Sequence, residues 1–197
     1  MRAGKMKKFM VLCGLAILLL RPGNDVCFSS GSEPPVASPV SGVAYSPEHP
    51  PRFEDFRVVS KFRGQPAPVN LASHPEARTF RTVLREGAAQ GPNFAGHDTV
   101  VTWGCGTACQ MVAVVDAGDG KVSLAPFTTS MGASYRLDSR LFIANPPEEL
   151  KLMSKEYLAG QDLSIEYYVW ENHKFRLICK FPVSLLERIA ESSPASK

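Results

Sequence analysis

The sequence has no apolar run long enough to cross a bilayer as a helix. Its longest, Phe9 to Leu20, covers about a dozen residues, against the roughly 20 that a ~30 Å hydrocarbon core requires. Lys5, Lys7 and Lys8 precede this run and Arg21-Pro22-Gly23 ends it. That order is the one of a secretory signal, with Cys27-Phe28-Ser29 as the nearest small-x-small cleavage site. Excess charge of one sign is also missing. Residues 1–29 hold Arg2, Lys5, Lys7, Lys8 and Arg21 against Asp25 alone, so their removal turns the formal charge of +3 into 17 basic and 18 acidic residues, a net of −1. The electrostatic footprint of a nucleic-acid binder is therefore not present. No H-E-x-x-H, G-x-S-x-G, Walker-type or EF-hand pattern occurs, and nothing calls for a cofactor or a resident metal.

Cysteine is scarce and sorts by position. Cys13 lies in the apolar run and Cys27 near the cleavage point, which leaves Cys105, Cys109 and Cys179 for the folded part. In an oxidising compartment two such thiols at close spacing are expected to pair. Cys105 and Cys109 can do so if the loop curls, and Gly104 and Gly106 give it the freedom to curl. This reading leaves Cys179 as a buried thiol beside Phe175, Leu177 and Phe181; a Cys109–Cys179 bridge is the alternative. The expected location is the periplasm or the exterior, with membrane contact only through the signal.

Residues 30–51 are rich in Pro, Ser and Gly and read as a flexible tether, with one domain over 52–197. Phe53 to Val59 alternates weakly, as a first strand would. Ser73-His74-Pro75-Glu76 has the spacing of a helix start, with Ala77, Phe80, Leu84 and Gly87 on one face. Strand patterns follow at His97 to Trp103, Met111 to Asp116 and Val122 to Phe127, the last two joined by Ala117-Gly118-Asp119-Gly120. Tyr135 to Ala144 reads as one strand, or as two around Asp138-Ser139. Asn145 is placed to cap a second helix with the stripe Leu150, Met153 and Tyr157. Leu163 to Trp170 and Phe175 to Phe181 form a last hairpin around 171–174, and Leu185 to Ile189 a short closing helix. The expected fold is α+β, a mostly antiparallel sheet with two or three short helices in a single domain.

Gly91-Pro92-Asn93-Phe94-Ala95-Gly96-His97 and Thr102-Trp103-Gly104-Cys105-Gly106-Thr107-Ala108-Cys109 are the densest stretches. They resemble a widespread group of uncharacterised exported bacterial proteins that share N-F-x-G-H followed by W-G-C-G-x-x-C. The resemblance covers about Arg78 to Phe181 and implies export but no particular activity. In that group an aromatic residue usually follows the histidine; Asp98 stands there in this chain. Thr102-Trp103-Gly104-Cys105-Gly106 is also similar to the S-x-G-C segment of L,D-transpeptidases. The arginine that closely follows the cysteine in those enzymes is replaced by Gly106-Thr107-Ala108.

The candidate binding residues are accordingly Asn93, His97, Trp103, Gly104, Gly106 and Thr107. His97 can act as a general base or contact a ligand, and the N–H groups of the glycine-rich loop can form an anion nest. Zinc held by Cys105, Cys109 and His97 lacks an evident fourth ligand. Arg78, Arg81 and Arg85 read as a solvated helix face. The functional expectation is a binding module, inhibitor- or immunity-like, for an envelope or extracellular protein or ligand. The alternative is an envelope enzyme using His97 and the Cys105 loop on cell-wall or related substrates.

Overall fold

The β-branched runs either side of Thr107 form an antiparallel hairpin, β1 (Asp98–Gly106) and β2 (Cys109–Asp116), with partners from Asp98↔Asp116 to Gly104↔Gln110. β3 (Val122–Thr129) joins β2 through the 117–121 turn and completes a three-stranded sheet. A second antiparallel sheet follows in chain order: β4 (Ala133–Tyr135), β5 (Leu141–Ala144), β6 (Ser164–Glu171) and β7 (Lys174–Pro182). The computed structural model describes residues 45–159 and 161–184. The expected signal segment, most of the expected tether and the helix expected over Leu185–Ile189 lie outside the described residues. None of the described helices is long and apolar enough to cross a membrane.

Period-two alternation gives each sheet two buried faces, so the molecule is layered. Val100, Val112 and Val114 of the first sheet meet Phe142, Ala144, Tyr168 and Trp170 of the second around Phe94, which is fully buried. On the outer face of the first sheet, α1 (Arg81–Ala88) lays Leu84 and Ala88 over Val101, Ala113 and Val115. The approach is close: a Cβ on Gly87 would lie 2.6 Å from Val101 Cγ2. The outer face of the second sheet is covered by Tyr45, Phe56, Leu150, Leu158 and Val183. Packing thus reaches back to Tyr45, inside the stretch read as tether. The architecture is a single α+β domain, as the sequence suggested.

Four local readings are corrected. Phe53–Phe56 is a 3-10 turn rather than a strand, and only Arg57 then bridges Ser139. The first helix begins at Arg81 because the Ser73 hydroxyl is engaged elsewhere: it donates to the Asn70 carbonyl at 2.6 Å and accepts from Val122 N at 2.8 Å, tying the 70s turn to β3. Asn145 is not a cap. It sits at φ 53°, its Oδ1 accepting from Ser130 N and Met131 N and its Nδ2 donating to the Ser164 carbonyl. The chain beyond it makes two short helices, α2 (Pro147–Leu150) and α3 (Lys155–Ala159), with Leu150 and Leu158 inward and Met153 and Tyr157 exposed. Finally, Cys179 is disulfide-bonded rather than a buried thiol. A bulge puts Tyr168 opposite Leu177 but Tyr167 opposite Cys179. The one extra residue flips the face, so Cys179 and Phe181 pack on the outer core while Leu177 is half exposed.

Candidate functional site

The Asn93–Gly96 turn sets the head of β1. Asn93 Oδ1 accepts from Val100 N at 2.7 Å and its Nδ2 donates to the Val100 carbonyl at 3.2 Å. Phe94 and Asp98 exchange both backbone hydrogen bonds at 2.9 Å. Gly96 sits at φ 85°, and a Cβ there would lie 2.3 Å from the Ser60 carbonyl oxygen. No other residue fits that approach. His97 is thereby fixed, half exposed, at the strand's start. Asp98 shares Val100's side of the strand and so points between the sheets, where it is fully buried and Trp170 Nε1 donates to its Oδ2 at 2.9 Å.

Asp116 lies directly opposite Asp98 in the ladder, an arrangement of like charges that is destabilising. The turn fixes its Oδ1 through a 2.6 Å bond from Gly118 N. Its Oδ2 faces inward, 3.4 Å from His97 Nδ1, which is itself 3.5 Å from Asp98 Oδ2. A second imidazole arrives from the other sheet: His173 Nδ1 is 4.0 Å from Asp116 Oδ2. Asn172 and His173 form the two-residue β6–β7 turn at φ 51° and 57°. Asn-Gly is the usual sequence for such a turn, so a histidine is held there against local preference. Asp98 Oδ1 has no hydrogen-bond partner. Burial pushes the Asp98 carboxyl up to about 6; Asp116 and Asp119 add to the rise, while His97 and the Trp170 hydrogen bond oppose it. A shallow depression of about 270 Å³, lined by Leu124, Pro126, Trp170, His173, Lys174 and Phe175, adjoins the cluster.

No family model, curated protein or solved structure matches the chain. Its functional reading therefore rests on the geometry of the molecule itself.

The remaining candidate residues gather at the far end of the same hairpin. Cys105 and Cys109 are joined by a disulfide with Cα atoms 5.1 Å apart. Gly104, Gly106 and Thr107 are exposed, and Gly106 and Ala108 take φ of 142° and 49° to turn the tip. Trp103 packs on Phe80 with ring centroids 4.7 Å apart, its Nε1 buried without a partner. Arg78, Arg81 and Arg85 are exposed. Seven residues of strand separate His97 from Gly104, roughly 23 Å at ~3.3 Å per residue. The structure thus brings His97 and Asn93 together at one end and Trp103, Gly104, Gly106 and Thr107 at the other. It adds Asp98, Asp116, Trp170 and His173, which sequence reasoning missed. A signal for one pair was there: counting outward from Thr107, the two cysteines are each two residues away and the two aspartates nine. A hairpin turning on Thr107 has to face Asp98 with Asp116.

Proposed function

We propose that this protein is an exported binding module of the cell envelope or the extracellular space, and that the β1–β2 tip is its recognition element. The observation that carries the reading is the shape of that hairpin. β1 is buried from Asp98 to Val101, then exposed at Thr102 and from Gly104 to Gly106, so the strand runs on past the core. The projecting end is closed covalently by Cys105–Cys109. A loop held in one shape loses less entropy when it docks, and binding residues concentrate on loops that a rigid scaffold presents. With its sulfur in the disulfide, Cys105 has no thiolate for nucleophilic chemistry. The test is capture of a partner from envelope extract by the wild-type protein and by a Cys105→Ser/Cys109→Ser variant. Loss of that capture by a variant that keeps the wild-type far-ultraviolet spectrum and a cooperative melt supports the reading; equal capture by both proteins refutes it.

A second reading, an envelope enzyme acting through His97, has one observation in its favour: the imidazole stands between two carboxylates. It would take its acid–base groups from the Asp98 end alone, without the Cys105 loop. Turnover of cell-wall fragments that His97→Ala abolishes would establish it.

A further inference from the structure

We infer that His97, Asp98, Asp116 and His173 form a binding site for a divalent transition cation, with Zn2+ the best match to the ligand set. This goes beyond the binding-module reading and does not depend on it, since the cluster and the hairpin tip lie at opposite ends of β1.

The spacing is the first argument. His97 Nδ1 lies 3.4 Å from Asp116 Oδ2 and 3.5 Å from Asp98 Oδ2, too long for good hydrogen bonds. Ligand atoms bound to zinc at roughly 2.0–2.1 Å lie about 3.3–3.5 Å apart across a tetrahedral angle. The two separations from His97 match those of ligands around an ion. One donor atom from each of His97, Asp98 and Asp116 falls within 4.8 Å of the others. His173 Nδ1 lies outside that group, 4.0 Å from Asp116 Oδ2, and has to move toward His97 and Asp98 to supply a fourth ligand.

The second argument is the state of Asp98. It is fully buried, it faces another carboxylate, and its Oδ1 has no hydrogen-bond partner. A buried charge in that position costs free energy unless something positive compensates it, and a divalent cation neutralises both carboxylates at once. The third argument is orientation. Gly118 N holds Asp116 through Oδ1 and leaves Oδ2 toward His97, the pattern of an outer-shell bond that aims a metal-binding carboxylate, while Trp170 Nε1 donates to Asp98 Oδ2 and fixes the oxygen that lies near His97. Two imidazoles with two carboxylates suit zinc and its neighbours better than Mg2+ or Ca2+, which prefer oxygen alone. Both histidines are partly exposed, which gives the ion an entry path and a side open to water or a partner's donor.

The experiment is a calorimetric titration of the untagged, chelator-treated protein with Zn2+, repeated with Mg2+, while Trp170 emission is followed in a Trp103→Phe background. One Zn2+ per chain is expected, with a change in Trp170 emission and affinity at least a hundredfold above that for Mg2+. His97→Ala and Asp116→Asn, each checked for an intact thermal transition, should weaken Zn2+ at least tenfold, and His49→Ala should not. His97 is half exposed, so its loss leaves the core intact and keeps the test decisive. Absence of Zn2+ binding, binding that neither variant weakens, or a preference for Mg2+ would overturn the inference.

Discussion

Asp98→Asn removes one charge and keeps the shape, so it measures what the buried carboxylate costs. In the folded protein the Asp98 carboxyl is raised from its ordinary 3.8 to about 6. A carboxyl raised on folding holds a proton that the unfolded chain releases. Its cost is absent below about pH 4, grows through the window between the two values and is complete above about pH 6. Two units at ~1.36 kcal/mol each give about 3 kcal/mol as the full effect. The amide oxygen of the variant still accepts from Trp170 Nε1, and the neutral side chain no longer repels the Asp116 carboxylate opposite it. In chelator, urea melts should show wild type and Asp98→Asn nearly equal at pH 4, with the variant about 1–3 kcal/mol more stable at pH 7.5. The same substitution should weaken Zn2+ binding, so stability and affinity change in opposite directions. A variant destabilised equally at both pH values would refute the reasoning, because Asp98 would then be an ordinary structural hydrogen-bond acceptor.

The other predictions concern the turns and the packing. His173→Gly supplies the residue that a turn at positive φ favours, so thermal melts should show a gain of about 1 kcal/mol, while Zn2+ titration shows weaker binding. Cys105→Ser/Cys109→Ser opens a ring of sequence separation 4; denaturant melts should show a loss of about 2 kcal/mol, with the far-ultraviolet spectrum unchanged. Gly87→Ala places a Cβ 2.6 Å from Val101 Cγ2, and despite the better helix propensity it should lower stability by about 1 kcal/mol or more in the same assay.

The hairpins were legible because local signals and tertiary structure agree there. β-branched alternation, the 117–120 turn and the 171–174 turn all survive in the fold. Readings failed where a distant group captured a local one. Ser73 has the position of a cap, but Val122 N, from a strand 49 residues on, takes its hydroxyl. Asn145 has the composition of a cap, but three bonds to the 130–131 turn and to Ser164 hold it at positive φ. The face of Cys179 failed because a bulge is a register event that alternation alone does not reveal. His97 stood out within a glycine-rich stretch, whereas its partners did not. Asp98 and Asp116 are ordinary residues until the register sets them opposite each other, and His173 looked like turn filler until the second sheet brought it to Asp116. The cluster belongs to the stacking of two sheets, a level that sequence periodicity does not encode.

Anomalous diffraction at the zinc edge, from crystals of the wild-type protein soaked in Zn2+, tests the central claim most directly. A single strong peak is expected at about 2.0–2.2 Å from His97 Nδ1 and from carboxylate oxygens of Asp98 and Asp116, with His173 drawn in to complete the shell. Peaks only at other surface groups, with the two aspartates and His97 unmoved and unliganded, would contradict it.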